Sequence, residues 1–168
     1  EKVLQSRADF VNKNPETTKA VMKAVLKAQM WLDESWENRE EAIKILAKDS
    51  YVKAPVDVLR KSMSGTFLYT KDGDTKNPMF NVFANDYAAY PYYSHGMWFI
   101  TQMYRWGQLN TPVDMKAIIE KVYRPDLFEV VAKEVGYSLP ESPWKKDGVD
   151  EYNKFIDGKV WDPNKAVE

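Results

Sequence analysis

His95 is the single histidine in 168 residues, and it follows Ser94. A zinc site built on it would need carboxylates for every other protein ligand, which is a rare donor set. The Ser94–His95 neighbours are not a nucleophile–base pair either, because such partners meet in space and not in sequence. The expectation is a structural histidine near a helix start, hydrogen-bonded to backbone. Cysteine is absent, which removes disulfides, thiolate metal sites and cysteine nucleophiles. Carboxylates stand in pairs at Glu40 and Glu41 or Asp147 and Asp150, but nothing in their context sets one apart as an acid or a base. No glycine-rich phosphate loop and no G-x-S-x-G elbow is present.

Three further stretches could do chemistry. Asp72-Gly73-Asp74-Thr75-Lys76-Asn77 begins like a calcium loop, but that pattern needs an oxygen ligand at its fifth position and glycine at its sixth. Lys76 and Asn77 stand there, so a polar turn is expected. Lys19, Lys23 and Lys27 recur every four residues and could attract an anion. Val21, Val25 and Ala28 interleave with them, so the expected reading is a solvated basic face opposite an apolar one. The densest aromatic run holds Tyr87, Tyr90, Tyr92, Tyr93, Trp98, Phe99, Tyr104 and Trp106. Stacking platforms for single-stranded nucleic acid also cluster aromatics, but in a basic groove. Arg105 is the one cation here, so a buried aromatic cluster with hydroxyls at its rim is expected.

The elements that must position these residues read as helices. Asn14-Pro15 marks a start, and the set Val21, Val25, Ala28, Leu32 predicts a helix over 15–33. Asn38 with Glu41 reads as a capping box ahead of Ala42, Ile43, Ile45 and Leu46. Pro55 opens a short helix carrying Val56 and Leu59, and Gly65 ends it. Residues 66–92 read as loop with at most short strands. Ser94 is placed as the cap of a helix over 95–106. Asp114 caps another with Met115, Ile118, Ile119 and Val122 inward. Pro125 and Gly136 bracket a last one with Leu127, Val130, Val131 and Val135 inward.

The composition is globular, 44% hydrophobic and 29% charged. A net charge of -1, from 24 basic and 25 acidic residues, argues against a nucleic-acid partner. No apolar run reaches the length of a membrane span. The chain begins at Glu1 without methionine, so a processed product or an excised piece is expected, and a signal peptide could have stood upstream.

Tyr90-Pro91, then Ser94-His95, Trp98-Phe99, Thr101-Gln102 and Arg105-Trp106-Gly107 resemble, position by position, the C-terminal region of nitrate- and bicarbonate-binding proteins of ABC importers. Asn14-Pro15 through Ala28, Trp31-Leu32-Asp33, Asn38-Arg39-Glu40-Glu41, Tyr51-Val52, Gly65, Asp157-Gly158 and Asp162-Pro163 continue the resemblance in order. The resemblance implies the C-terminal part of a two-lobed α/β solute-binding fold that closes on a small oxyanion such as nitrate, nitrite or bicarbonate. The segment itself is expected to be mainly α, with about six helices, long loops and few short strands. It would run as one unit over 1–168, helical to about 136 with an irregular tail over 137–168.

Lys2 is the counterpart of a family lysine that contacts the anion, and most other ligand residues would lie upstream. The implied partners are the anion, the permease subunits and the remaining lobes of the same receptor, without nucleic acid, cofactor, metal or enzymatic activity. The implied location is periplasmic or membrane-anchored outside the cytoplasm. Three alternatives stand beside it. One is a cytoplasmic anion sensor fused to a transporter ATPase. Another is an enzyme, since related two-lobed folds make the thiamine pyrimidine. The third is a standalone accessory protein.

Overall fold

The computed structural model describes residues 3–71, 73–77, 79–149 and 154–166, with backbone alone for 68–70, 74 and 75. The chain divides into two compact units, Glu1–Ala89 and Tyr90–Glu168.

The first unit carries α1 (Ala8–Lys13), α2 (Pro15–Glu34), α3 (Trp36–Leu46) and α4 (Val56–Ser64), then an antiparallel hairpin of β1 (Thr66–Thr70) and β2 (Gly73–Lys76). Pro15 occupies the first turn of α2, where a missing N–H leaves no helical bond unmade. Asn14 does not cap α2 with its side chain, which instead donates to Phe10 O at 3.1 Å and closes α1. The start of α3 also differs from the expected box at Asn38. Ser35 is the cap, its Oγ accepting from Asn38 N at 3.1 Å, and the Asn38 amide reaches back to Trp31 O at 2.7 Å. A serine between two helices was the better oxygen, because it stands where the chain leaves helical geometry.

Helix α2 packs on α3, and α3 on α4, around Leu26, Ala42 and Ile43. The buried stripe of α2 is rotated from the expected one. Leu26 is 2% exposed with Met22, Met30 and Asp33 alongside, whereas Val21 is 47% exposed and Ala28 faces out. The three lysines therefore do not share a solvated face. Lys19 and Lys23 flank the buried stripe and are half-buried, and Lys27 alone is exposed. Their aliphatic stems can cover apolar neighbours while the ammonium stays wet. Lys19 pairs with Glu16 at 3.0 Å. Gly65 ends α4 with φ 69°, a left-handed conformation that side chains with a Cβ resist, and it accepts Asn77 N at 2.7 Å where β2 ends. Gly73–Lys76 is thus a strand and not a cation loop; Asp72 lies outside the described residues.

The second unit carries α5 (Tyr93–Arg105), α6 (Met115–Val122) and α7 (Pro125–Val135). Asp114 caps α6, accepting from Ala117 N at 3.0 Å, and Gly136 ends α7 at φ 74°, both where expected. Ser94 is not the cap of α5. The helix starts one residue earlier, and Ser94 is fully buried, its Oγ accepting from Lys145 N at 3.3 Å. The inward faces of α6 and α7 are narrower than their apolar patterns. Ile119, Val131 and Ala132 are buried with Phe128, while Ile118, Val122 and Val130 are exposed. Beyond α7, Asp147 and Trp161 exchange backbone bonds of 3.0 and 2.8 Å, and a short 3-10 turn spans Pro163–Lys165. No helix among the described residues is long and apolar enough to cross a membrane.

Candidate functional site

The first unit gathers its buried polar chemistry at one residue. It is Asp33, near the end of α2, with a side chain 3% exposed. One carboxylate oxygen, Oδ2, accepts from three successive amides, Phe83 N at 2.9 Å, Ala84 N at 2.7 Å and Asn85 N at 2.9 Å. The other, Oδ1, accepts from Arg39 Nη2 at 2.5 Å. Arg39 donates three more of its five N–H groups to Leu32 O, Met63 O and Asn81 O at 2.8–3.0 Å and lies over the Phe83 ring. Burial alone would raise the Asp33 pKa. The amides of Ala84, Asn85 and Phe83, with Arg39, outweigh it and hold the carboxyl below the ordinary aspartate range. The node ties α2, α3, the end of α4 and the 81–85 loop together. Both Asp33 oxygens and four of the five Arg39 N–H groups are engaged inside the protein, so the node is a structural lock. Next to it, Glu40 holds Arg60 at 2.7 and 3.1 Å, which accounts for half of the Glu40–Glu41 pair.

In the second unit the aromatic run splits. Tyr90 and Tyr92 are buried edge to face at 4.8 Å, and Tyr90 Oη donates to Glu129 at 2.8 Å. Burial, and then that carboxylate, push the Tyr90 hydroxyl well above its usual range. Gly96 lets α5 approach the Tyr123 ring, where an added Cβ would sit 2.8 Å from Cε2. Trp98 stacks on Phe155 at 5.5 Å and stands perpendicular to Trp161 at 5.4 Å, which fastens the tail to α5. Phe99, at 61% exposed, and Trp106, at 75%, instead face outward, so the expected buried cluster holds for only part of the run.

His95 sits in this unit with its ring 5.4 Å from Tyr92 and its backbone N–H donating to Tyr92 O. Burial, and then the Lys145 ammonium, lower its pKa, so the imidazole is neutral at pH 7. Ser94 Oγ is engaged with Lys145 N, and no serine–histidine pair forms. Asp147 pairs with Lys145 at 3.0 Å; Asp150 lies outside the described residues. Among the described residues no group of three or more His, Cys, Asp or Glu side chains could hold a metal ion. Lys2, the expected anion ligand, lies outside the described residues.

Sequence reasoning missed two things. Asp33 and Arg39 both stand in motifs quoted above, but their pairing is invisible without knowing that the chain reverses at Ser35. An open groove of about 720 Å³ also runs along α5, walled by Trp98, Tyr104, Met115 and Trp161 and carrying Arg105 and Lys165. Its parts come from three separated stretches of sequence. Tyr104 Oη is fixed at its edge by donating to Thr111 O at 2.5 Å.

Comparison with known proteins gives these positions a context. Residues 1–47 match the NMT1-like family. Across 164 residues, 97% of its length, the chain is 38% identical to the nitrate/nitrite binding protein NrtA of Synechococcus elongatus, and it spans 36% of that protein. Across 98% of its length it is 33% identical to the nitrate import ATP-binding protein NrtC of Synechocystis, spanning 24% of it. The crystal structure of the periplasmic nitrate-binding protein NrtA from Synechocystis PCC 6803 superposes with a TM-score of 0.85 at 34% identity, over 95% of this chain and 41% of that one. The resemblance to solute-binding proteins of nitrate importers thus holds along nearly the whole chain in both sequence and fold. The chain spans well under half the length of each of these relatives.

Proposed function

We propose that this chain, similar from end to end to a part of the nitrate-binding receptors, is the C-terminal part of the solute-binding component of an ABC importer for a small oxyanion. Nitrate or nitrite is the favoured cargo, with bicarbonate the alternative that the sequence motif also allows. The observation that carries the reading is the superposition on a nitrate receptor over nearly the whole chain. The chemistry agrees with it. The motif residues Tyr90, Ser94 and Trp98, with Gly96 between them, are engaged in packing or internal hydrogen bonds, and the lone histidine forms no pair with Ser94, whose hydroxyl is held by Lys145 N.

On this reading the chain acts as one segment of a larger binding domain. It braces a cleft whose anion ligands lie mainly upstream, with Lys2 as its own contribution. It catalyses nothing. Its partners are the anion, the remaining lobes and the permease subunits, and it works outside the cytoplasm. A lysine in a closing cleft supplies a compact charge and three donors, and loss of water strengthens the attraction.

Calorimetry tests this directly. The 168-residue chain alone is expected to give no heat with nitrate, nitrite or bicarbonate, and the whole protein that carries it is expected to bind one of them. Submillimolar binding by the chain alone would overturn the placement of the cleft.

The match to an ATP-binding import protein favours one second reading, a module fused behind a transporter ATPase. The upstream coding sequence separates the two. A signal peptide supports the receptor, and a Walker-type ATPase supports the fusion.

A further inference from the structure

The groove along α5 is too large for an inorganic oxyanion. About 720 Å³ falls within the range of roughly 300–1,000 Å³ typical of organic-ligand sites. Its long wall is Trp98, Gln102 and Arg105, spaced i, i+4, i+7 on one face of α5. Trp161 and Met115 line it too, and Lys165 enters from the 3-10 turn.

Two properties define the occupant. Trp98 gives one face to Phe155 and meets Trp161 at 89°, and the indole surface that these contacts leave lines the groove beside Met115. The lining includes two cations, Arg105 and Lys165, and no Asp or Glu. Arg105 is exposed, and among the described residues the side-chain hydrogen bond it shows is a long 3.4 Å one to Gln102 Oε1, which leaves most of its planar fork for an acceptor. A guanidinium matches a carboxylate through two parallel N–H···O bonds.

We infer that this groove binds a small organic carboxylate with a planar aromatic body. The ring lies against Trp98, Trp161 and Met115, and the carboxylate rests on Arg105 with Lys165 as a second charge. The inference does not rest on the oxyanion reading, and the experiment reads the two separately.

Indole-3-acetate is the probe, titrated by calorimetry into the full-length protein that carries this chain. Saturation-transfer NMR and a parallel nitrate titration accompany it. Indole-3-acetate is expected to bind, and its uncharged alcohol analogue to bind at least about tenfold more weakly. Arg105→Gln, at an exposed position, should weaken the acid about tenfold and Lys165→Gln about threefold, with nitrate binding unchanged in both. The inference fails if the acid does not bind at millimolar concentration. It also fails if acid and alcohol bind equally, or if Arg105→Gln leaves the affinity for the acid unchanged. Failure of the unsubstituted protein to bind nitrate, nitrite or bicarbonate would count against the receptor reading and not against this one.

Discussion

The Glu1–Ala89 unit and the Tyr90–Glu168 unit solve the same problem with different forces. The first has a small apolar core, Leu26, Ala42, Ile43 and Ala84, and adds an ion pair whose two members make seven hydrogen bonds between α2, α3, α4 and one loop. The second uses rings in contact, Tyr90 on Tyr92 and Phe128, and Trp98 on Phe155 and Trp161, with glycine at the closest approach. A directional polar lock fails abruptly when one partner is removed, because the rest are left buried and unpaired. An aromatic stack loses strength in proportion to the surface removed.

The sharpest way to break the contrast is Asp33→Ala. It strands Arg39 and three amides, and about 3–5 kcal/mol of stability should go, read by denaturant unfolding. Hydrogen exchange should accelerate first at Phe83, Ala84 and Asn85. Unchanged protection there would refute the lock. The same node predicts an acid limb. The folded Asp33 pKa lies below its unfolded value, so its contribution is complete above the unfolded pKa and is lost as pH falls through the folded one. Asp33→Asn should flatten that limb.

Trp98→Ala comes next. A large buried aromatic costs about 3–5 kcal/mol to truncate; Trp98 is half-buried, so about 2–4 kcal/mol is expected, with exchange rising around Phe155 and Trp161. An unchanged melt would show that the tail is held by other means. Gly96→Ala pushes a methyl into Tyr123 and should cost about 1–3 kcal/mol, and Tyr123→Leu should recover part of it.

Tyr90→Phe removes one hydrogen bond to Glu129, about 1 kcal/mol. Because the folded Tyr90 pKa is raised, its contribution is full below the unfolded pKa and is lost as pH rises toward the folded one. The substituted protein should therefore lose less stability between pH 9 and 11, on thermal melts, than the parent.

Helix ends were more legible in the amino-acid sequence than helix faces. Pro15, Gly65, Asp114, Pro125 and Gly136 act through their own backbone or a partner three residues away, so local reading places them well. The buried stripe of α2 depends on where α3 lies, and Val21 and Ala28 have the right spacing for a face that the packing leaves exposed, with Val25 half-buried at its margin. Asn38 and Ser35 are both competent caps, and only the turn between α2 and α3 decides between them. The groove was illegible for a similar reason. Trp98, Met115 and Lys165 stand on three separate stretches of the chain, and no periodicity links them. The motif Tyr90 to Gly107 was recognised as text, but the text did not say that Ser94 is buried and Trp106 exposed.

The three amides that converge on Asp33 lie 50, 51 and 52 residues away from it along the chain. Such a concavity of N–H groups will take any anion of the right size, and here the polypeptide furnishes its own. The segment around residue 84 therefore has no template until α2 has formed and its end has been delivered across that separation. This segment should be the last part of the first unit to become ordered as the chain folds and, by the same logic, the first to let go when the protein is pulled or heated.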